Sequence, residues 1–369
     1  MRKICVNMEY MILVLSLAGI VLGADFLVNG AVVVAKKCSV SSFVIGAVIV
    51  GIGTSLPELV VSTIGAIGGN SEVAIGNVVG SNIFNVFVIL GLTAIFFPIA
   101  VSRANMKFEI PFCIGVSVLL MLLVYNFFIG GEPRLGRWDG AVLLIFFIAF
   151  MWTSLKRGKS TASNGKTEIE VNATDAGQGM VGDLPTTEST ATYGADEQGN
   201  AVLSPSPTAA ETGKYAWKNS LWFAAVSILG GLAALIISSN FFVDEAVAIA
   251  KKLGVSDAFI SITLLACGTS LPELAASVTA ALKKDTDMAL GNIVGSNIFN
   301  ATMILGTASL ITPLSTGKIG FVDYAAMILA AVLPLLFGLK GKIGRAGGAA
   351  MLLCYAAYTW YIVRYVMAV

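Results

Sequence analysis

GTSLPEL at residues 53–59 and GNVVGSNIFN at 76–85 recur as GTSLPEL at 268–274 and GNIVGSNIFN at 291–300. The offset is 215 residues in both cases, and it holds without a gap from Leu27/Phe242 to Pro98/Pro313. Between 53–98 and 268–313, 23 of 46 positions are identical, so the chain contains an internal duplication.

The duplicated segments lie in a very apolar background. Of 369 residues, 56% are hydrophobic and 12% charged, against about 25% charged in ordinary soluble proteins. A soluble fold of this size could not hide that much apolar surface. Stretches long enough to cross a bilayer fall near 10–35, 41–68, 73–99, 108–129, 138–155, 219–250, 256–282, 287–313, 321–339 and 346–367. The expectation is an all-α polytopic membrane protein of ten transmembrane helices. Arg2 and Lys3 before the apolar run Met11–Leu22 resemble a signal peptide. Apolarity continues past Asp25 to Ala35, however, which is too long for such a segment.

Several functions are excluded at this level. A net charge of +1 gives nucleic acid no electrostatic hold. The absence of histidine removes His-ligated zinc, Ser-His catalysis and His proton relays. No GxGD-type aspartate pair supports an intramembrane protease. Cys5, Cys38, Cys113, Cys267 and Cys354 are scattered, with no CxxC spacing, and read as small apolar residues. No GxxxxGK[ST] segment binds nucleotide. The expected protein is not an enzyme and needs no cofactor.

Residues 156–218 are rich in Ser, Thr, Gly, Ala and acids, the composition of a disordered linker. Their acids lack the dense spacing of a calcium loop. The linker separates a first five-helix repeat, 1–155, from a second, 219–369. Five crossings separate the second span from the seventh, so equivalent segments enter the membrane from opposite sides. This is an inverted-topology repeat, the architecture of many secondary transporters. Eight Lys and Arg lie on the side of the N-terminus and fifteen on the other. The bias places the linker in the cytoplasm and both termini outside the plasma (inner) membrane.

Charges inside spans cost about 3 kcal/mol or more each, so they usually serve a function. Glu58 and Glu273 occupy equivalent positions, each after a proline, Pro57 or Pro272. Proline cannot donate a helical hydrogen bond, and it frees carbonyls near Gly53–Thr54 and Gly268–Thr269. In lipid such carbonyls need a partner, which a bound cation supplies. Thr54, Ser55, Thr269 and Ser270 share the faces of the two glutamates. Asn77, Ser81 and Asn85 are spaced i, i+4, i+8, as are Asn292, Ser296 and Asn300. Gly76/Gly80 and Gly291/Gly295 have the GxxxG spacing of close helix approach. Carboxylate, hydroxyl, amide and carbonyl oxygens select hard cations; Mg²⁺ dehydrates reluctantly, which favours Ca²⁺ and Na⁺. Asp25, Asp244 and Glu245 are left outside the central site.

GTSLPEL followed by GSNIFN, present twice, resembles the paired repeats of the Ca²⁺/cation antiporter superfamily, specifically bacterial sodium/calcium exchangers. The resemblance spans nearly the whole chain. It implies ten helices in two inverted halves and one ion cluster shared by the second, third, seventh and eighth. Its implied ligands are Thr54, Ser55, Glu58, Ser81, Asn85, Thr269, Ser270, Glu273, Ser296 and Asn300, with main-chain carbonyls near Val50 and Leu265. It further implies that the first and sixth helices slide as gates. Potassium-dependent members carry aspartate where this chain has Asn300, so exchange independent of K⁺ is expected.

The leading expectation is an antiporter that exchanges Na⁺ for Ca²⁺ by alternating access. A Ca²⁺/H⁺ antiporter on the same scaffold is the alternative, because desolvated carboxylates can carry protons. A passive cation channel is the alternative of another class, and coupled uphill flux distinguishes it.

Overall fold

The computed structural model describes residues 2–126, 132–175, 192–195, 201–204, 220–252 and 266–366. It is almost entirely helical. In the first repeat the helices are α1 (Arg2–Cys38), α2 (Ser42–Thr54), α3 (Leu56–Ile67), α4 (Ser71–Phe96), α5 (Asn105–Val124) and α6 (Arg137–Asp175). In the second they are α7 (Leu221–Lys252), α8 (Ala266–Thr269), α9 (Leu271–Leu282), α10 (Thr286–Ile311), α11 (Phe321–Gly338) and α12 (Arg345–Arg364). Each helix of the first repeat has its counterpart six numbers on.

Among the described residues eight helices are long and apolar enough to cross a bilayer, and α2 with α3 forms a ninth, bent span. The remaining expected span, 256–282, begins outside the described residues. Its described part is α8 and α9, and α9 alone is too short to cross. Within 156–218 the described residues are the continuation of α6 to Asp175 and a hairpin of two paired strands, Thr192–Ala195 and Ala201–Ser204.

The bend between α2 and α3 is 47° and sits at Ser55. Pro57 lies in the first turn of α3, where its missing N–H is harmless to α3 but ends the ladder of α2. Ser270, with φ −92 and ψ 6, repeats the break before Pro272. Each break therefore places a glutamate, Glu58 or Glu273, in the first turn of the following helix.

The repeats are contiguous in sequence but interlocked in space. α6 of the first packs on α10 of the second, where a Cβ at Gly140 would meet the Gly306 carbonyl. α12 of the second packs in the equivalent way on α4, where Gly348 approaches Gly91. Two short antiparallel clasps also join the halves. Ile99–Ala100 pairs with Lys342–Ile343, and Arg134–Leu135 pairs with Leu314–Ser315.

α4 and α10 form the centre: their most apolar 18-residue stretches are 78% and 83% buried, against 33% in α1 and 22% in α7. The outer pair α1 and α7 lie along one another, with backbones in close approach at Gly23 and Gly231. Gly291 and Gly295 let α10 meet α2 backbone to backbone, against Phe43 and Ala47. This is the close packing their spacing predicts. By the repeat, the partners of Gly76 and Gly80 would fall near 258–262, outside the described residues.

Candidate functional site

The two helix breaks face one another across the pseudo-two-fold axis. Ser55 Oγ donates to Glu273 Oε1 at 2.8 Å, and Ser270 Oγ donates to Glu58 Oε1 at 3.3 Å. Each carboxylate is thus held by the break of the other repeat. Ser55, Glu58, Ser270 and Glu273 are all fully buried.

The asparagines of α4 and α10 support the breaks from behind. Asn77 Nδ2 donates to the Glu58 carbonyl and to Ser62 Oγ, at 3.3 and 3.0 Å. Asn292 Nδ2 does the same for the Glu273 carbonyl and Ser277 Oγ, at 3.2 and 2.8 Å. These two residues hold the glutamate turns in place. Ser296 Oγ donates to the Gly51 carbonyl at 3.1 Å, which also accepts from the Ser55 N–H, so the last turn of α2 is tied to the opposite repeat. Thr54 Oγ1 donates to Asn292 Oδ1 at 3.3 Å. Ser81 Oγ donates to the Val78 carbonyl at 3.1 Å and accepts from Asn300 Nδ2 at 3.1 Å.

Asn85 and Asn300 each open a wide π-helical turn, Asn85–Leu90 and Asn300–Ile304, in the middle of their spans. Such turns inside α-helices are frequent at functional positions.

Among the described residues, five buried oxygens in this region have no hydrogen-bond partner: Glu58 Oε2, Glu273 Oε2, Asn85 Oδ1, Asn300 Oδ1 and Thr269 Oγ1. Four of them form two repeat-related pairs. A buried oxygen left without a partner is expensive, by about 1–3 kcal/mol and more when charged. A set drawn from equivalent positions is a built feature, and carboxylate, amide and hydroxyl oxygens are the ligand types that suit a hard cation. Among the described residues no third carboxylate, cysteine or histidine joins the pair. The site therefore offers two formal negative charges.

All ten residues singled out in the sequence lie on the two breaks and the two central helices. Thr54, Ser55, Glu58, Ser81, Asn85, Ser270, Glu273, Ser296 and Asn300 are buried, and Thr269 is half-buried. Val50 is buried on α2, while Leu265 lies outside the described residues. Thr269 lines a cavity of about 700 Å³ with Asn77, Glu72, Val61 and Asp244. Its described lining comes from α3, the start of α4, α7 and α8, and Asp244 is part of it. Asp25 is elsewhere, paired with Lys283 at 2.7 Å.

The sequence reading passed over Asn82 and Asn297. Both are buried where α4 and α10 cross, and each donates to the other's main-chain carbonyl at 3.1 Å. Their identity in the two GSNIFN segments was the available signal. They lie one residue off the i, i+4, i+8 face and so fell outside it.

The sodium/calcium exchanger family matches residues 8–156 and 223–364, which include both breaks and both central helices. The chain belongs to the sodium/calcium exchanger family. CaxA of Alkalimonas amylolytica, named as an antiporter, is 34% identical to this exchanger over 94% of its chain and 97% of the relative's. The sodium/calcium exchanger MaX1 of Methanosarcina acetivorans is 31% identical over 96% and 98%. The solved structure of the sodium-calcium exchanger NCX_Mj superposes with a TM-score of 0.72 at 28% identity, covering 98% of this chain and 99% of that one. This exchanger is accordingly a multi-pass membrane cation antiporter.

Proposed function

We propose that the exchanger couples Na⁺ entry to Ca²⁺ expulsion through one central site, independently of K⁺. The observation that carries this reading is the set of unpartnered buried oxygens around Glu58 and Glu273. Two carboxylates match the charge of one Ca²⁺. The neutral oxygens of Thr54, Ser55, Ser81, Asn85, Thr269, Ser270, Ser296 and Asn300 add ligands without adding charge. The same cluster can hold Na⁺ ions in place of Ca²⁺, so the two cations compete and exchange becomes obligatory.

Alternating access follows from the inverted repeats. A site made of two breaks that enter from opposite sides can be approached from either face by equivalent rearrangements. The cavity at Thr269 is one such approach. With the positive-inside bias, it faces the exterior of the plasma (inner) membrane and the linker faces the cytoplasm. Relatives named as sodium/calcium exchangers agree with this choice of ions.

The test is ⁴⁵Ca²⁺ uptake into Na⁺-loaded proteoliposomes, with and without an imposed pH gradient. Uptake driven by Na⁺ and indifferent to the pH gradient supports the reading. Uptake driven by the pH gradient in the absence of Na⁺ would assign proton coupling instead.

A further inference from the structure

Asn82 and Asn297 fix which end of Asn300 and Asn85 is hydrogen-bonded and which is left over. A main-chain carbonyl can only accept. Asn82 meets the Asn297 carbonyl at 3.1 Å and must present Nδ2 to it. Its Oδ1 is therefore its other end. That Oδ1 lies 3.2 Å from the Asn300 amide, which must present its own Nδ2 there. Asn300 Oδ1 is then directed elsewhere, buried and without a hydrogen-bond partner.

The second half repeats the chain of constraint. Asn297 Nδ2 donates to the Asn82 carbonyl at 3.1 Å, and its Oδ1 accepts from Asn85 Nδ2 at 3.0 Å. Asn85 Oδ1 is the end left over. An unassisted asparagine can rotate its amide by half a turn at little cost, presenting N–H in place of oxygen. Here neither Asn85 nor Asn300 can do so without breaking a bond to a partner whose own orientation is fixed by backbone.

We propose that Asn82 and Asn297 are positioning residues: a reciprocal amide clamp that holds the Oδ1 atoms of Asn85 and Asn300 toward the transported cation. This rests on the reading that Asn85 and Asn300 ligate the ion. Turned the other way, each amide would aim the positive end of its dipole at a cation and remove a ligand. The clamp also specifies an amide at 300. A carboxylate there would set an acceptor against Asn82 Oδ1, so the network keeps the site at two negative charges.

The experiment is a pair of double-mutant cycles on the full chain in proteoliposomes. One combines N82A with N300A and the other N297A with N85A. The readout is the Ca²⁺ concentration giving half-maximal Na⁺-driven uptake, with thermal stability measured in parallel. N82A is expected to raise that concentration about tenfold in wild type and less than about twofold in the N300A background, because it acts through Asn300. A crossing residue with only a packing role would lower stability and leave the half-saturating concentration unchanged. That outcome, or equal penalties in both backgrounds, would overturn the proposal. Should N82A fail to fold, the N297A and N85A cycle decides the question. The reading of the central site is tested separately by E58Q: transport retained there would overturn the site, whereas transport lost with additive penalties in the cycles would overturn only the clamp.

Discussion

Ser55 Oγ lies 2.8 Å from Glu273 Oε1, a hydrogen bond from the helix break of one repeat to the carboxylate of the other. Ser270 and Glu58 make the reciprocal bond at 3.3 Å. Neither repeat can assemble its own half of the site, and a movement that separates the breaks must disturb both carboxylates at once. Under the proposed function, these two bonds couple ion binding to rearrangement.

Removing a serine leaves its carboxylate with one fewer partner in a dry site. S55A and S270A are each expected to weaken Ca²⁺ transport about tenfold at limiting Ca²⁺, in line with about 1.5–3 kcal/mol for a hydrogen bond to a charged group. The shorter bond predicts the larger effect for S55A. Initial ⁴⁵Ca²⁺ uptake rates across a range of Ca²⁺ concentrations check both.

The approach of α10 to α2 leaves no space for a methyl group at Gly295, whose added Cβ would run into the backbone of Ala47. Backbone cannot yield as a side chain can. G295A is expected to destabilise the protein by about 1–3 kcal/mol, read as a lowered midpoint of thermal unfolding in detergent. An unchanged midpoint would show that the two helices do not pack this closely.

With Asn300 in place of a carboxylate, and no third acid joining Glu58 and Glu273 among the described residues, nothing offsets a co-transported K⁺ beside Ca²⁺. Na⁺-driven Ca²⁺ uptake should be equal in choline and K⁺ media when the membrane potential is clamped. A strict K⁺ requirement would contradict this. Asn300→Asp should alter cation selectivity; unchanged selectivity would assign the residue to packing.

Deleting roughly residues 165–210 is expected to leave exchange intact in vesicles, since none of the helices that carry the site lies in that stretch. Loss of Ca²⁺ activation with basal transport preserved would assign a regulatory role to its acids.

Much of this arrangement is legible in the sequence because duplication gives every motif a control. Pro57 before Glu58 could be chance, but Pro272 before Glu273 at the same offset is not. The breaks, the central helices and the close approach at Gly291 and Gly295 follow from that pairing. What a linear pattern cannot show is which repeat satisfies which residue. The exchange of Ser55 and Ser270 between the two glutamates depends on how the halves interlock. So does the packing of α6 on α10 and of α12 on α4. Asn82 and Asn297 escaped for a related reason. Periodicity assigns faces within one helix, whereas these residues serve a crossing between two. Asp25 looks like any intramembrane acid until Lys283, 258 residues away, is placed beside it.

Glu58 and Glu273 together are expected to hold one Ca²⁺ that Na⁺ displaces. Equilibrium ⁴⁵Ca²⁺ binding to the purified protein, titrated with Na⁺, measures this without relying on transport. Wild type should bind one Ca²⁺ per chain and release it as Na⁺ rises. E58Q and E273Q should each lose binding and transport while remaining folded, because one of the two charges on Ca²⁺ is left uncompensated in a buried site, at a cost of several kcal/mol. Near-wild-type Ca²⁺ binding in a folded E58Q or E273Q protein would contradict the account.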